Sequence, residues 1–235
     1  MATRKKIVVL TGAGISAESG IATFRDANGL WEGHDVMEVA SPEGWRRNPE
    51  LVLNFYNERR KKAQQVKPNA GHLALAQLEE KYDVTIITQN VDDLHERAGS
   101  TNVVHLHGKL FESRSTVDEN LVYPIEGWEL KMGDLCEKGS QLRPNIVWFG
   151  EMVPMMETAV EEAQVADAFM VVGTSLLVYP AAGLIDFVPR GIPVFLIDPN
   201  LPTVAKRPNL HLIAEKASTG VPRAIHMLEK ELEKK

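Results

Sequence analysis

The stretch Ile7-Val8-Val9-Leu10-Thr11-Gly12-Ala13-Gly14-Ile15-Ser16-Ala17-Glu18-Ser19-Gly20-Ile21 decides how this chain is read. Ile7 to Leu10 form the unbroken apolar run that a strand buried on both faces presents. A glycine-rich turn straight after such a strand lets backbone N–H groups approach a pyrophosphate without Cβ atoms in the way. The same pattern also serves as a plain strand–helix turn, so alone it leaves nucleotide binding open.

Gly12-x-Gly14-x-x-Ala17 fits the dinucleotide fingerprint, which calls for a second strand ending in an acid about 20 residues on. The stretch that follows, Phe24-Arg25-Asp26-Ala27-Asn28-Gly29-Leu30-Trp31-Glu32-Gly33, offers no such strand. It reads as a polar, glycine-punctuated loop that folds over the ligand, which argues against an ordinary dehydrogenase half.

Composition sets the outer bounds. A chain of 235 residues is long enough for one substantial core. A net charge of −6 leaves no basic footprint for nucleic acid. The lone cysteine, Cys136, excludes an intrachain disulfide framework and suits a reducing compartment. The apolar run after Arg4-Lys5-Lys6 is too short for a signal-peptide core, and no stretch is long enough to span a membrane. The expected location is the cytoplasm, and the expected state a monomer.

Along the chain, strands and helices alternate. Asn48 before Pro49 is a cap and a first-turn proline opening a helix to about Val66. A second helix is expected from Asn69 to Lys81, with Leu73, Ala76 and Leu78 turned inward. Strands are expected at Val84–Thr88, Val103–Leu106, Ala168–Gly173, Pro193–Ile197 and near Leu210–Ile213, and helices at Pro154–Ala166 and Pro222–Lys234. The fold class is therefore α/β: a Rossmann-like, mostly parallel sheet with helices on both faces. The polar, weakly periodic stretch from Lys109 to Leu142 reads as an inserted module. The expected division is a large lobe over roughly 5–35, 84–108 and 145–235, and a small lobe over 36–83 and 109–144. The cleft between them is the default binding site.

Several strands end in polar groups or glycine: Thr88-Gln89-Asn90-Val91-Asp92, His105-Leu106-His107-Gly108, Gly173-Thr174-Ser175 and Asp198-Pro199-Asn200. Each alone is an ordinary strand end. Together they gather where ligands bind on such sheets, beyond the carboxyl ends of the strands.

These segments, with Phe24-Arg25 and Arg143-Pro144-Asn145-Ile146-Val147-Trp148-Phe149-Gly150-Glu151, occur in the order of the sirtuin family, and the chain resembles a compact sirtuin core from about Lys5 onward. The resemblance implies a single catalytic domain that uses NAD to deacylate protein lysines. It implies that Gly12, Ala13, Gly14, Ser16 and Arg25 surround the pyrophosphate, and that Phe24 shields the reactive anomeric carbon. By the same resemblance Gln89 and Asn90 face the nicotinamide ribose, Asp92 accepts from the carboxamide, and Gly173, Thr174, Ser175, Asn200 and Ala217 hold the adenosine half. His107 matches the family's base, and Val147, Trp148, Phe149, Gly150 and Glu151 its acyl-lysine tunnel and peptide edge.

The chemistry supports a histidine in that role. An amide oxygen is a weak nucleophile, so its attack on a ribose carbon needs a good leaving group and exclusion of water. The resulting imidate is then attacked by a ribose hydroxyl, which needs a base of near-neutral pKa. The expected products are nicotinamide, free lysine and O-acyl-ADP-ribose.

Tyr56 and Arg59 lie three apart on the helix after Pro49 and share a face. Arg59 also begins a basic run, Arg59-Arg60-Lys61-Lys62, whose ordinary fate is solvation. Yet Tyr-x-x-Arg with the small Ala40 upstream resembles the class III sirtuins, which remove acidic acyl groups. That resemblance implies that Tyr56 and Arg59 receive the carboxylate of a succinyl-, malonyl- or glutaryl-lysine, with water solvating the pair when acetyl-lysine is bound.

Most sirtuins carry two Cys-x-x-Cys pairs for a structural zinc. The aligned positions here are Ser115, Asp118, Leu135 and Lys138, and Cys136 alone cannot make a tetrahedral thiolate site. No zinc is expected, and packing of Tyr123, Trp128 and Leu130 is expected to hold the module instead. Two other functions remain: a mono-ADP-ribosyltransferase using the same NAD site, and a non-catalytic NAD-responsive binding module.

Overall fold

The computed structural model describes residues 4–23, 30–202, 204–205 and 207–233. Strand β1 (Lys6–Thr11) leads into α1 (Gly14–Ala17); the hairpin β2 (Leu30–Trp31) and β3 (His34–Asp35) precedes α2 (Val36–Val39), α3 (Pro42–Arg47), α4 (Pro49–Gln65) and α5 (Ala70–Leu78). Then come β4 (Asp83–Thr88), α6 (Leu94–Ala98), β5 (Val103–His105), β6 (Gly108–Ser115), β7 (Val122–Pro124) and β8 (Leu142–Ile146). The chain continues with α7 (Met156–Gln164), β9 (Ala168–Val172), a 3₁₀ helix over Ala181–Asp186, β10 (Val194–Ile197), β11 (Leu210–Ile213) and α8 (Ala217–Leu232).

The main sheet has six strands in the order β11-β10-β9-β1-β4-β5, and every pairing is parallel. The side chains of β1 alternate between two apolar clusters. Ile7 and Val9 pack with Leu75, Val221 and Leu228, while Val8 and Leu10 pack with Ala159, Ala163 and Leu184. Helices α5 and α8 thus cover one face and α7 with the 3₁₀ helix the other, which is why β1 reads as an unbroken apolar run. From β1 the chain moves outward through β4 to β5, then returns to β9 and moves the other way. The strand order reverses between β1 and β9, and a ligand crevice is expected at the carboxyl ends there.

A second sheet, β7-β6-β8, is antiparallel. It packs on α4 through a third apolar cluster that includes Tyr56, Leu110, Ile146 and Trp148. Gly108, at the start of β6, has φ +81, and a Cβ there would meet the Asn145 carbonyl oxygen at 2.0 Å. Only glycine lets β6 and β8 close up directly after His107.

Three element readings need correction. Helix α5 ends at Leu78, and its inward residues are His72, Leu75 and Leu78, whereas Leu73 is exposed. Its phase is set by a capping box in which His72 reaches back to the Asn69 backbone. Helix α8 begins at Ala217, five residues ahead of Pro222, which lies inside it. Glu18 accepts from both the backbone N–H and the hydroxyl of Ser218, holding a first turn that propensity alone would not start. Finally, the inserted module is not held by packing alone. Arg60 is fully buried and donates to the carbonyls of Trp128 and Leu110 and to Asn57 Oδ1, while Asn57 pairs with the backbone of Leu130.

Candidate functional site

At the carboxyl edge, the turn after β1 and the turn after β9 touch. Gly14 N–H donates to the Gly173 carbonyl at 2.8 Å, and a Cβ on Gly14 would meet Gly173 Cα at 2.6 Å. A Cβ on Gly12 would meet Thr174 Cβ at 2.7 Å. These two glycines are required by contact between two backbone turns, a different reason from the ligand approach that the motif suggests. Gln89 joins the same junction, donating from Nε2 to Thr174 Oγ1 at 3.1 Å.

Beside that junction lies a buried polar network centred on Ser16. Its hydroxyl donates to Asp92 Oδ2 at 3.1 Å and is met by Asn90 Nδ2 at 3.2 Å and His72 Nε2 at 3.5 Å. Asn69 N–H donates to His72 Nδ1, so the His72 proton sits on Nε2 and points at Ser16. Asn90 Nδ2 also donates to the Gly12 carbonyl, so the atom that Asn90 can offer a ligand is Oδ1. Asp92 Oδ1 accepts from Leu94 N–H. Burial raises the Asp92 carboxyl above the usual range, against the lowering by its two hydrogen bonds. Each of its oxygens keeps a lone pair for a further donor, such as a carboxamide.

The two histidines of β5 and its turn are distinguished by their partners. Both ring nitrogens of His105 are engaged, Nδ1 with the Asn90 carbonyl at 3.0 Å and Nε2 with Glu96 at 2.7 Å. His107 is half-buried and donates from Nδ1 to the Gln89 carbonyl at 2.9 Å. A carbonyl only accepts, so the proton of neutral His107 sits on Nδ1 and its Nε2 lone pair is the basic site. Burial lowers His107 below the ordinary histidine value, with the Gln89 hydrogen bond opposing.

A second group forms where α4 meets the end of β8. Tyr56 is fully buried, and Trp148 Nε1 donates to its hydroxyl at 3.1 Å. Burial pushes Tyr56 up to about 12, which keeps it a neutral donor. Arg59 is buried as well, against Trp31, and the charges of Glu32, Tyr56 and Asp92 oppose the lowering that burial imposes on it. Of the basic run, only Lys61 and Lys62 carry the solvated character expected of the whole. The structure also separates the residues of the expected tunnel. Phe149 and Gly150 are exposed and Val147 half-buried, its N–H donating to the His107 carbonyl. Trp148 is in the core, and Glu151 is an internal anchor that accepts from Arg143, Arg114 and Trp148 N–H. The Trp148 side chain is thus buried, and that of Glu151 half-buried and engaged within the protein.

Around the edge, Thr174 is buried, Ser175 half-buried, and Asn200 exposed at the end of β10. The Ala217 side chain lies in the core, so only its backbone, at the start of α8, faces a ligand's reach. Phe24 and Arg25 lie outside the described residues.

The Sir2 family profile matches residues 12–180, a span containing most of these groups. The chain belongs to the Sir2 family. A Bacteroides thetaiotaomicron protein named NAD-dependent protein deacylase is 54% identical over 229 residues, covering 95% of this chain and 98% of that protein. A Helicobacter pylori protein of the same name is 55% identical over 213 residues, covering 91% and 93%. Among solved structures, a Sir2 homologue–NAD complex is similar at TM-score 0.86 and 42% identity, covering 97% of this chain and 91% of that one. A Sir2 homologue mutant bound to ADP-ribose has TM-score 0.87 at 41% identity, covering 99% and 95%.

In this Sir2 protein, the four positions aligned with zinc cysteines take part in other contacts. Asp118 pairs with Lys138 at 2.7 Å, Ser115 bonds Ser140 at 2.9 Å, and Leu135 is exposed beside a bridge to Gln141. Among the described residues, no cluster of three or more His, Cys, Asp or Glu is placed to hold a metal. Sequence reading missed His72, Arg60 and Glu32. Only His72 left a signal, the Asn69-x-x-His72 spacing of a capping box.

Proposed function

We propose that this Sir2 protein is an NAD-dependent protein-lysine deacylase that removes both acetyl and acidic acyl groups, succinyl and malonyl among them. The products are nicotinamide, O-acyl-ADP-ribose and free lysine. The names of its relatives support the deacylase reading; the buried Tyr56–Arg59 pair supports the acyl range. NAD, when bound, supplies a ribose carbon activated by a nicotinamide leaving group. The acceptors on this edge suit it: Asp92 has free lone pairs for a carboxamide, and Asn90 has Oδ1 for a ribose hydroxyl or its water.

The observation that carries the reading is His107, whose Nδ1 is fixed by the Gln89 carbonyl and whose Nε2 is left basic. His107 Nε2 takes a proton from a ribose hydroxyl, and the lowered pKa keeps it unprotonated near neutral pH. Ser16 and Leu94 N–H hold the Asp92 carboxylate in place while it orients the carboxamide. Gly12, Ala13, Gly14 and, on the resemblance, Arg25 surround the pyrophosphate, and Phe24 shields the ribose carbon. Gly173, Thr174, Ser175, Asn200 and the Ala217 backbone take the adenosine side. Phe149 and Gly150 offer backbone to an extended peptide, and Val147 lines the lysine stem. Tyr56 and Arg59 receive the acyl carboxylate, and hydrogen bonds to a charged group of about 1.5–3 kcal/mol give a roughly 10- to 100-fold preference. The parallel sheet and the antiparallel module serve as the two lobes of this cleft.

Adenine-labelled NAD separates the reactions. Label recovered in a small acylated product, stoichiometric with nicotinamide, supports the deacylase. Label retained on protein supports the transferase, and no nicotinamide release a binding module. For the acyl range, Arg59→Met should abolish the preference for succinyl-lysine; desuccinylation left intact would refute it.

A further inference from the structure

The guanidinium of Arg59 already has a carboxylate against it. Glu32 Oε1 lies 3.4 Å from Arg59 Nη1, and Glu32 Oε2 lies 2.7 Å from Lys62 Nζ. The Arg59 pair is the more enclosed of the two: its side chains are 8% and 15% exposed, whereas the Lys62 side chain is 60% exposed. Arg59 is also incompletely satisfied. Its Nε is buried and has no hydrogen-bond partner among the described residues, and its face is covered by Trp31, with the ring centroid 4.2 Å from Cζ. A planar guanidinium offers five donors in a fork suited to a bidentate carboxylate, and Glu32 meets it with one long contact.

The backbone around Glu32 points the same way. Glu32 and Gly33 form the two-residue turn between β2 and β3, with φ of +50 and +86. Such a turn favours Asn, Asp or Gly at its first position, and a glutamate there is unfavourable in isolation. Its two ion pairs supply the compensation, one of them to the arginine expected to bind acidic acyl groups.

We propose that Glu32 is an internal competitor for Arg59, a specificity-determining residue that an acidic acyl group must displace. The inference rests on the reading that Arg59 receives the acyl carboxylate. With acetyl-lysine bound, Glu32 stays on Arg59 and neutralises it, in place of the solvating water that the sequence suggests. With a succinyl group bound, the terminal carboxylate takes the guanidinium and Glu32 remains paired through Lys62, already its closer partner. Glu32 thereby keeps the pocket usable for neutral acyl groups and weakens its hold on charged ones.

The test compares succinyl- and acetyl-lysine peptides with the wild-type enzyme, Glu32→Gln, Arg59→Met and the double variant. Glu32→Gln should lower KM for the succinyl peptide about three- to tenfold, as expected for removing one carboxylate from a partly enclosed pair. It should raise KM for the acetyl peptide, because the enclosed Arg59 then faces a neutral acyl group without its carboxylate, and should have no effect on either peptide when Arg59 is already Met. Glu32→Asp keeps the charge and the fold but shortens the reach, and should move the succinyl KM the same way by less. If Arg59→Met removes succinyl preference while Glu32→Gln and Glu32→Asp leave succinyl KM unchanged or raise it, the competition is overturned and the Arg59 reading stands. If Arg59→Met leaves the succinyl-to-acetyl ratio unchanged, the Arg59 reading fails, and the competition with it.

Discussion

His105 and His107 stand two residues apart, and only one of them has a nitrogen to give. His107 keeps Nε2 as a base because its other nitrogen is tied to a carbonyl, and burial lowers its pKa. A base acts when unprotonated, so the acid limb of kcat/KM should lie below the ordinary histidine value of about 6.5, with a plateau through neutral pH. A kcat/KM profile against pH checks this; a midpoint above that value would contradict the assignment. At Gly14 an added Cβ meets Gly173 backbone at 2.6 Å, and neither turn can give way cheaply. Gly14→Ala should therefore destabilise the protein by about 1–3 kcal/mol in urea unfolding, besides its effect on turnover. Both histidines and both glycines are legible as candidates in the sequence. Which histidine is free, and why the glycines are needed, depends on Gln89, Glu96 and Gly173, contacts made across the sheet.

Helix α4 shows how much one element can do with consecutive residues. Tyr56 and Arg59 face one way, toward Trp148 and the Trp31 hairpin; Arg60, next in sequence, faces the inserted module. The Tyr-x-x-Arg spacing made the first pair visible. Nothing local marks Arg60, because its acceptors, the carbonyls of Leu110 and Trp128, arrive from 50 and 68 residues away. Burial lowers Arg60 to about 10, so it remains charged at neutral pH. Arg60→Met leaves those carbonyls unsatisfied and should cost about 2–4 kcal/mol in chemical denaturation, loosening β6 and with it His107. The module's anchors on this account are Arg60, Asn57 and the Asp118–Lys138 pair, so exhaustive chelation should leave Tm and turnover unchanged. A fall in Tm on chelation, or stoichiometric zinc in the purified protein, would contradict it.

For the whole molecule, the parallel sheet and its covering helices follow from apolar runs and turn residues, and the sequence reading recovers every strand of the main sheet. Its errors lie at the start of α8, which Glu18 holds from a neighbouring turn, in the end and inward face of α5, and in the inserted module, where a buried cation replaces simple packing. The same buried polar groups make stability depend on pH. Burial lowers His72 to about 4 from an ordinary 6.5, and His95 beside it is lowered as well. Both are neutral in the folded state. The unfolded chain therefore binds protons first as pH falls, and stability present above about 6.5 is lost progressively toward 4, His72 alone contributing about 3 kcal/mol. Urea unfolding across that range should show the loss, with a shallower acid limb in His72→Gln. The central claim is tested most directly by mass-spectrometric turnover of matched succinyl- and acetyl-lysine peptides, with and without NAD, beside His107→Ala. The expected result is NAD-dependent loss of both groups, faster for succinyl and absent in the variant; succinyl loss no faster than acetyl loss, or turnover that survives in His107→Ala, would contradict it.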